Sequence, residues 1–244
     1  MLIREVGRPG GTDPAYRIAT RAWFNAVSMA SGGMNARELE GMFARSGKSE
    51  SCSGIWGKYR DGKVCPKILP DFKGNPSIVE RVERRFPGTK KWIAMPLWRV
   101  LGYSPMDMDQ LRDLFWSFPG NIRKLLISER SPYKRIFWRR PMELRQLFGH
   151  LVNMGTLDAI TAILGVIKEF ETTQNQIMHQ EALGWWQLCA PILSKELVLL
   201  PLMADINWII EDRYCGTGYT TGLNRYFNFS KREVRSALYW RGED

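Results

Sequence analysis

Gly41, Gly47, Lys48 and Ser49 occur in an order that approaches a phosphate-binding loop. Such a loop wraps its backbone amides around one phosphate. It needs four residues between its first glycine and the Gly-Lys-Ser, and a buried strand before them. Here five residues intervene, and the preceding residues have helical spacing. Nucleotide binding at this place is not expected. Gly216, Gly218 and Gly222 fall one residue off the dinucleotide fingerprint and follow a helical pattern ending in Glu211, Asp212 and Arg213, so a turn is expected there. Cys52, Cys65, Cys189 and Cys215 form no C-x-x-C, and only His150 and His179 could join them, so no metal site is assigned. His150 keeps helical spacing with Leu147 and Leu151, which suits packing better than base catalysis, and His179 lies in a polar run. The sequence contains no G-x-S-x-G, H-E-x-x-H or recognisable carboxylate pair. No catalytic residue and no cofactor is assigned, and an enzyme assembled from residues distant in sequence is the third reading.

Positive charge is what the chain has in excess. Its 244 residues carry 35 Lys+Arg against 25 Asp+Glu, a formal charge of +10. A polyanion is therefore the first partner class to consider. The apolar fraction of 44% and charged fraction of 25% exclude a disordered chain and a collagen-like one. The charge is uneven: +8 over residues 1–91, +5 over 92–145, −6 over 146–212 and +3 over 213–244. This split predicts a basic, anion-meeting region over 1–91 and a helical domain over 92–244. That domain comprises a basic part (92–145), an acidic apolar core or interface (146–212) and a basic C-terminal helix (223–244). The competing account is two solvated faces of one domain. The start of the sequence has no apolar run of signal-peptide length, and the stretch 182–204 is interrupted by Pro191, Pro201, Lys195 and Glu196. A soluble, cytoplasmic protein with reduced cysteines and no membrane partner is expected.

Helical signals recur. Asp13 with Pro14, Asn35 with Glu38, Pro76, Pro105 with Asp107, and Pro141 each precede apolar residues at helical spacing. Residues 156–170 place Leu157, Ile160, Ile163, Leu164, Ile167 and Phe170 on one side of a helix, which predicts one buried face. Further helices are expected over about 174–188, 192–203 and 204–214. Residues 62–76, rich in proline and glycine, read as a long connection. Strand alternation is nearly absent, so the fold class is all-α. The tryptophans, including Trp92, Trp98, Trp185 and Trp186, are expected to fill core.

The segment 35–63 reads helix, turn, helix, basic turn. After a helix over 35–44 and a break at Gly47, a second helix over Ser49–Arg60 would align Cys52, Ile55, Trp56 and Tyr59 in one apolar stripe. Its other faces carry Glu50, Ser51, Ser53, Gly54, Gly57 and Lys58, with Arg60, Lys63 and Lys67 at the exit. A helix held by one stripe with a small, polar and basic outer face is what major-groove insertion requires. Glu38 and Leu39, the serine-rich start of the second helix, and the run Tyr59, Arg60, Asp61, Gly62, Lys63 followed by Pro66 resemble the helix-turn-helix of the phage-repressor (Cro-like) regulators. The resemblance spans about residues 35–66 and implies a helix-turn-helix packed on or linked to a larger helical bundle. Lys48, Ser51, Ser53, Lys58, Arg60 and Lys63 are the candidate DNA-binding residues, the cations for phosphates and the serines and Lys58 for base edges. An ordinary helical hairpin is the competing account.

A second basic region interleaves Arg130, Lys134, Arg135, Arg139 and Arg140 with Tyr133, Phe137 and Trp138, a composition that suits RNA or a single strand. The expected function is that of a sequence-preferring, duplex-DNA-binding regulatory protein. Its acidic apolar half, with Trp185 and Trp186, would mediate homodimerisation. The alternative is a helical interaction or effector protein, for example in conflict between a mobile element and its host, whose basic face binds RNA or a protein.

Overall fold

The computed structural model describes residues 13–44, 54–128 and 142–214, and every regular element among them is helical. The fold is all-α. The described residues divide into two compact units: those up to Ser104 with Ser194–Ile209, and those within Pro105–Leu193 with Ile210–Tyr214.

The first unit is organised around α1 (Pro14–Ala30). Asp13 Oδ1 accepts a hydrogen bond from Ala15 N at 3.0 Å, and Pro14 occupies the first helical position, where a missing N–H is harmless. Ala15, Ile18, Ala19, Ala22, Trp23, Ala26 and Val27 recur at helical spacing and are buried. α2 (Ala36–Phe43) begins with the capping box of Asn35 and Glu38. α3 (Ile55–Arg60) follows, and α4 (Ile78–Arg85) starts at a second capping box, Ser77 with Glu80, one residue after Pro76. Two short helices, α5 (Lys91–Ala94) and α6 (Leu97–Leu101), have no periodic signature long enough to read from sequence. Trp98 Nε1 donates to Trp92 O at 2.8 Å and both rings are core as expected, whereas Trp116 and Trp208 are exposed against that expectation. α1 packs against α3, α5, α6 and the 3-10 turn Leu200–Leu202. Arg21 forms an ion pair with Asp205, and Asn25 Nδ2 donates to Val198 O at 3.2 Å.

In the second unit α7 (Met108–Ser117) starts at a capping box of Asp107 and Gln110, followed by α8 (Gly120–Leu126) and α9 (Leu144–Met154). α10 (Leu157–Thr172) is capped by Thr156, whose hydroxyl accepts from Ala159 N at 3.2 Å. Every residue from Ala159 to Lys168 is buried, so burial extends to all faces of this helix and not to one side alone. The reason is that α7, α8, α9 and α11 (Gln176–Leu193) all pack on it. Lys168 is buried in this core and pairs with Glu171 Oε2 at 3.3 Å, one helical turn on. The helix boundary expected near residue 188 is absent, because α11 continues through Pro191 to Leu193. α12 (Met203–Tyr214) is the last described helix.

The expected basic helix 223–244, the glycines 216–222 and the aromatic–cationic run 130–140 lie outside the described residues. Among the described residues no helix is long and apolar enough to cross a membrane, and no group of three His, Cys, Asp or Glu could hold a metal ion.

Two glycines test this packing. Gly62 has φ +66°, and a Cβ there would lie 2.7 Å from the Arg17 carbonyl oxygen. Gly62→Ala should therefore cost more than the about 1–2 kcal/mol of a left-handed backbone alone. A Cβ on Gly165 would lie 2.9 Å from Phe115 Cε1 and 3.1 Å from Leu114 Cδ2. Gly165→Ala should cost about 1–3 kcal/mol by overpacking. Urea unfolding of each variant measures both, and an unshifted Gly165→Ala midpoint would contradict the close approach of α7 to α10.

Candidate nucleic-acid interface

The second helix of the candidate pair is shorter than the sequence suggests. A continuous helix over Ser49–Arg60 is not formed: Gly54 has φ +60°, a left-handed conformation that a helix interior does not admit, and α3 begins only at Ile55. Its N-cap, Gly54, has no side chain, and no side chain among the described residues caps it. Residues 45–53 are outside the described residues, and with them Lys48, Ser51, Ser53 and Cys52.

The six residues of α3 are held by aromatic packing instead. Trp56 lies between two rings, stacked on Trp23 of α1 (centroids 5.6 Å, planes 20° apart) and on Phe43 at the end of α2 (5.4 Å, 25°). Tyr59 meets both Trp23 and Trp56 edge-on, at 5.6 and 5.8 Å. Leu39, Val79, Val82 and Ile93 complete this cluster, and Arg81 Nη1 donates to Phe43 O at 3.3 Å, tying α4 to the end of α2. Burial raises the Tyr59 phenol above its ordinary range, so it stays neutral.

The stripe predicted from Ile55, Trp56 and Tyr59 does face inward, and Lys58 and Arg60 are exposed. Just beyond the helix, Asp61 takes hydrogen bonds from Arg60 Nε at 2.9 Å and Lys63 Nζ at 3.1 Å. The Arg60 bond, then the Lys63 bond, hold the Asp61 carboxyl below its usual range. This clasp orients both cations and offsets part of their charge. Lys58, Arg60 and Lys63 are thus brought to one short stretch.

A second cationic group surrounds the turn after α4 and was legible only as the doublets Arg84–Arg85 and Lys90–Lys91. Arg84, Arg85 and Lys91 are exposed. Glu83 organises that turn by accepting from Gly88 N at 2.7 Å, Thr89 Oγ1 at 3.1 Å and Lys90 N at 2.6 Å. Burial alone would push the Glu83 carboxyl up, but these hydrogen bonds hold it below its ordinary value. The four acids between residues 54 and 91 are all engaged locally. Asp61 clasps two cations, Asp71 folds its own loop, Glu80 caps α4 and Glu83 closes the turn. Ten lysines and arginines stand against these four acids over residues 54–91, and that excess sets the sign of this stretch.

Among the described residues the other reactive groups do not gather into a site. His150 is exposed on α9, and burial pushes the Cys189 thiol up to about 12, which keeps it unreactive. No family model matches the chain, and neither a curated protein nor a solved structure matches it.

Trp56→Ala should destabilise the protein by about 3–5 kcal/mol in urea unfolding, because a central ring leaves a cavity. Trp56→Phe should recover part of that loss. Equal stability of both variants with the parent would show that the stack does not hold α3.

Glu83 gives a pH test. Its folded-state pKa is depressed, so its contribution is present above the unfolded carboxylate pKa and is lost as pH falls through the folded one. Glu83→Gln should lower stability at neutral pH by about 1 kcal/mol after solvent screening. Its acid limb should be shallower than the parent's. Parallel stability–pH curves would overturn the assignment.

Proposed function

We propose that this chain is a DNA-binding regulatory protein that meets duplex DNA through α2, α3 and the basic turn beyond them. One observation carries the reading. α3 buries Trp56 and Tyr59 firmly while turning Lys58 and Arg60 outward, with Lys63 following. Gly57 keeps one side of the helix small, so its backbone can come close to a groove. With six residues α3 spans about 9 Å, enough to place one helix end at the base edges. Base reading in this proposal belongs to Lys58 and to Ser51 and Ser53 ahead of Gly54, while Lys48, Arg60 and Lys63 hold phosphates.

Pairing of two copies is part of the same proposal, since two reading heads on two half-sites raise affinity and set spacing. Of the tryptophan pair, Trp186 is 7% exposed, while Trp185 packs on Phe148 at 5.8 Å and stays half-buried. Leu197, Leu200 and Trp208, each more than half exposed, are the apolar groups that support self-association. Thiols at Cys65 and Cys189 are consistent with a reducing compartment, the cytoplasm in this reading.

Binding to duplex DNA should weaken steeply with salt, because each neutralised phosphate releases counterions. Arg60→Ala and Lys63→Ala should reduce affinity on all sequences about equally, and Asp61→Asn should raise it by releasing the clasp. Lys58→Ala or Ser53→Ala should change sequence preference by about 1–3 kcal/mol per lost base contact. A salt titration by fluorescence anisotropy decides. Absence of duplex binding at low salt removes the proposal, and preference for RNA or for a protein partner favours the effector reading instead.

A further inference from the structure

The connection between α3 and α4 contains no helix, yet it is fixed at both its base and its tip. Ile68 packs on the aromatic cluster, and its carbonyl accepts from Ser77 Oγ at 2.9 Å, so residues 69–76 leave and return at one place. At the tip Asp71 Oδ1 accepts from Lys73 N and Asn75 N, both at 2.9 Å, and Oδ2 accepts from Asn75 Nδ2 at 2.9 Å. Asp71 N donates to Asn75 O at 3.0 Å, and Gly74 N to Asp71 O at 2.9 Å. Pro70 and Pro76 restrict the backbone on either side.

This well-bonded loop does not hide its apolar side chains. Phe72 is 95% exposed and Leu69 57% exposed. Lys67 and Lys73 are exposed beside them, with Lys73 Nζ 5.6 Å from the Phe72 ring centroid. The Asp71 bonds fix the turn from which Phe72 projects. The only acid of the loop, Asp71, is spent on the loop's own amides. What remains is an exposed ring with Lys73 beside it and the exposed Lys67 at the start of the loop.

We propose that Phe72 is a base-stacking finger: its ring stacks on an unpaired nucleobase while Lys67 and Lys73 hold the flanking phosphates. Stacking on an aromatic ring suits any base, because every base has a π-face, and a preformed loop loses little freedom on binding. The chemistry matches the charge: lysines around one ring fit a strand of alternating phosphates and bases. A single ring and one leucine give little apolar area for a bilayer. This inference rests on the nucleic-acid reading above and adds a contact with unpaired bases to it.

The test uses the full chain and a duplex carrying a short single-stranded overhang with 2-aminopurine, beside the same duplex with blunt ends. The overhang should be bound more tightly than the blunt duplex, with a change in 2-aminopurine emission. Phe72→Ala should weaken overhang binding about tenfold and abolish the emission change, leave blunt-duplex binding unaltered, and leave the unfolding midpoint in place, since the ring is exposed. Phe72→Trp should retain both signals. If Phe72→Ala binds the overhang like the parent with the same emission change, the finger is wrong and the duplex reading stands. If the parent binds no oligonucleotide, both fall. Phe72-dependent binding to phosphatidylserine vesicles without any effect on oligonucleotides would overturn the proposal in favour of a membrane surface.

Discussion

The stacking of Trp56 between Trp23 and Phe43 is the interaction on which the first unit depends. A helix of six residues is far below the length at which backbone hydrogen bonds repay nucleation, and its N-cap is a glycine with no side chain to help. Its conformation is therefore imposed by tertiary contact. Two stacked rings and an edge-on tyrosine fix both the position of α3 and its rotation about its own axis. The rotation decides that Lys58 and Arg60 face water. The cluster even tolerates a flaw: Trp23 Nε1 is buried with no hydrogen-bond partner among the described residues, a cost that the packing of three helices on α1 outweighs.

Electrostatics in that unit follow from where the acids are used. Carboxylates are the natural partners of surface lysines, yet Glu80, Glu83 and Asp71 are directed at backbone amides. Amides at helix starts and tight turns lack intrachain partners and attract negative charge strongly. Local folding and surface charge are thus coupled. Each carboxylate that closes a turn is one that does not neutralise a neighbouring cation. Asp61 and Asp205 are exceptions: Asp61 sits on the two cations that flank the helix exit, and Asp205 pairs with Arg21.

Helix starts were the most legible part of the sequence, because capping is a matter of adjacent residues. Asp13, Asn35, Asp107 and Thr156 all cap where their side chains and spacing indicate. Lengths were less legible. Residues 49–60 carry a faultless apolar stripe, but Gly54 takes a left-handed conformation, and glycine's φ cannot be read from periodicity. α5, α6 and α8 are too short to show a period at all. α10 reads from sequence as one-faced since Thr161, Gly165 and Lys168 interrupt its apolar pattern. The structure buries them because Gly165 admits Phe115, Thr161 Oγ1 bonds back to Leu157 O at 2.8 Å, and Lys168 has Glu171. For the candidate site, Lys58, Arg60 and Lys63 were legible as a basic exit from a stripe. The clasp by Asp61 and the role of Glu83 were not, since both depend on turns whose shape only the folded chain defines.

The distribution of chemistry between helices and connections has a physical cause. In the second unit one helix is surrounded on all sides, and its partners use their inner faces to cover it. In the first unit the helices are mostly short, so much of the chain lies in turns, where side chains are not committed to a core. Such turns serve for recognition only if they are stiff, because ordering a loose segment on binding consumes affinity. The turns after α3 and α4 and the loop 69–76 meet that condition through carboxylate–amide and carboxylate–cation bonds. The aromatic cluster fixes the places from which these turns depart, through Tyr59, Ile68 and Phe86. A small apolar core and three local carboxylate networks together suffice to hold a cationic, partly aromatic surface in a defined shape.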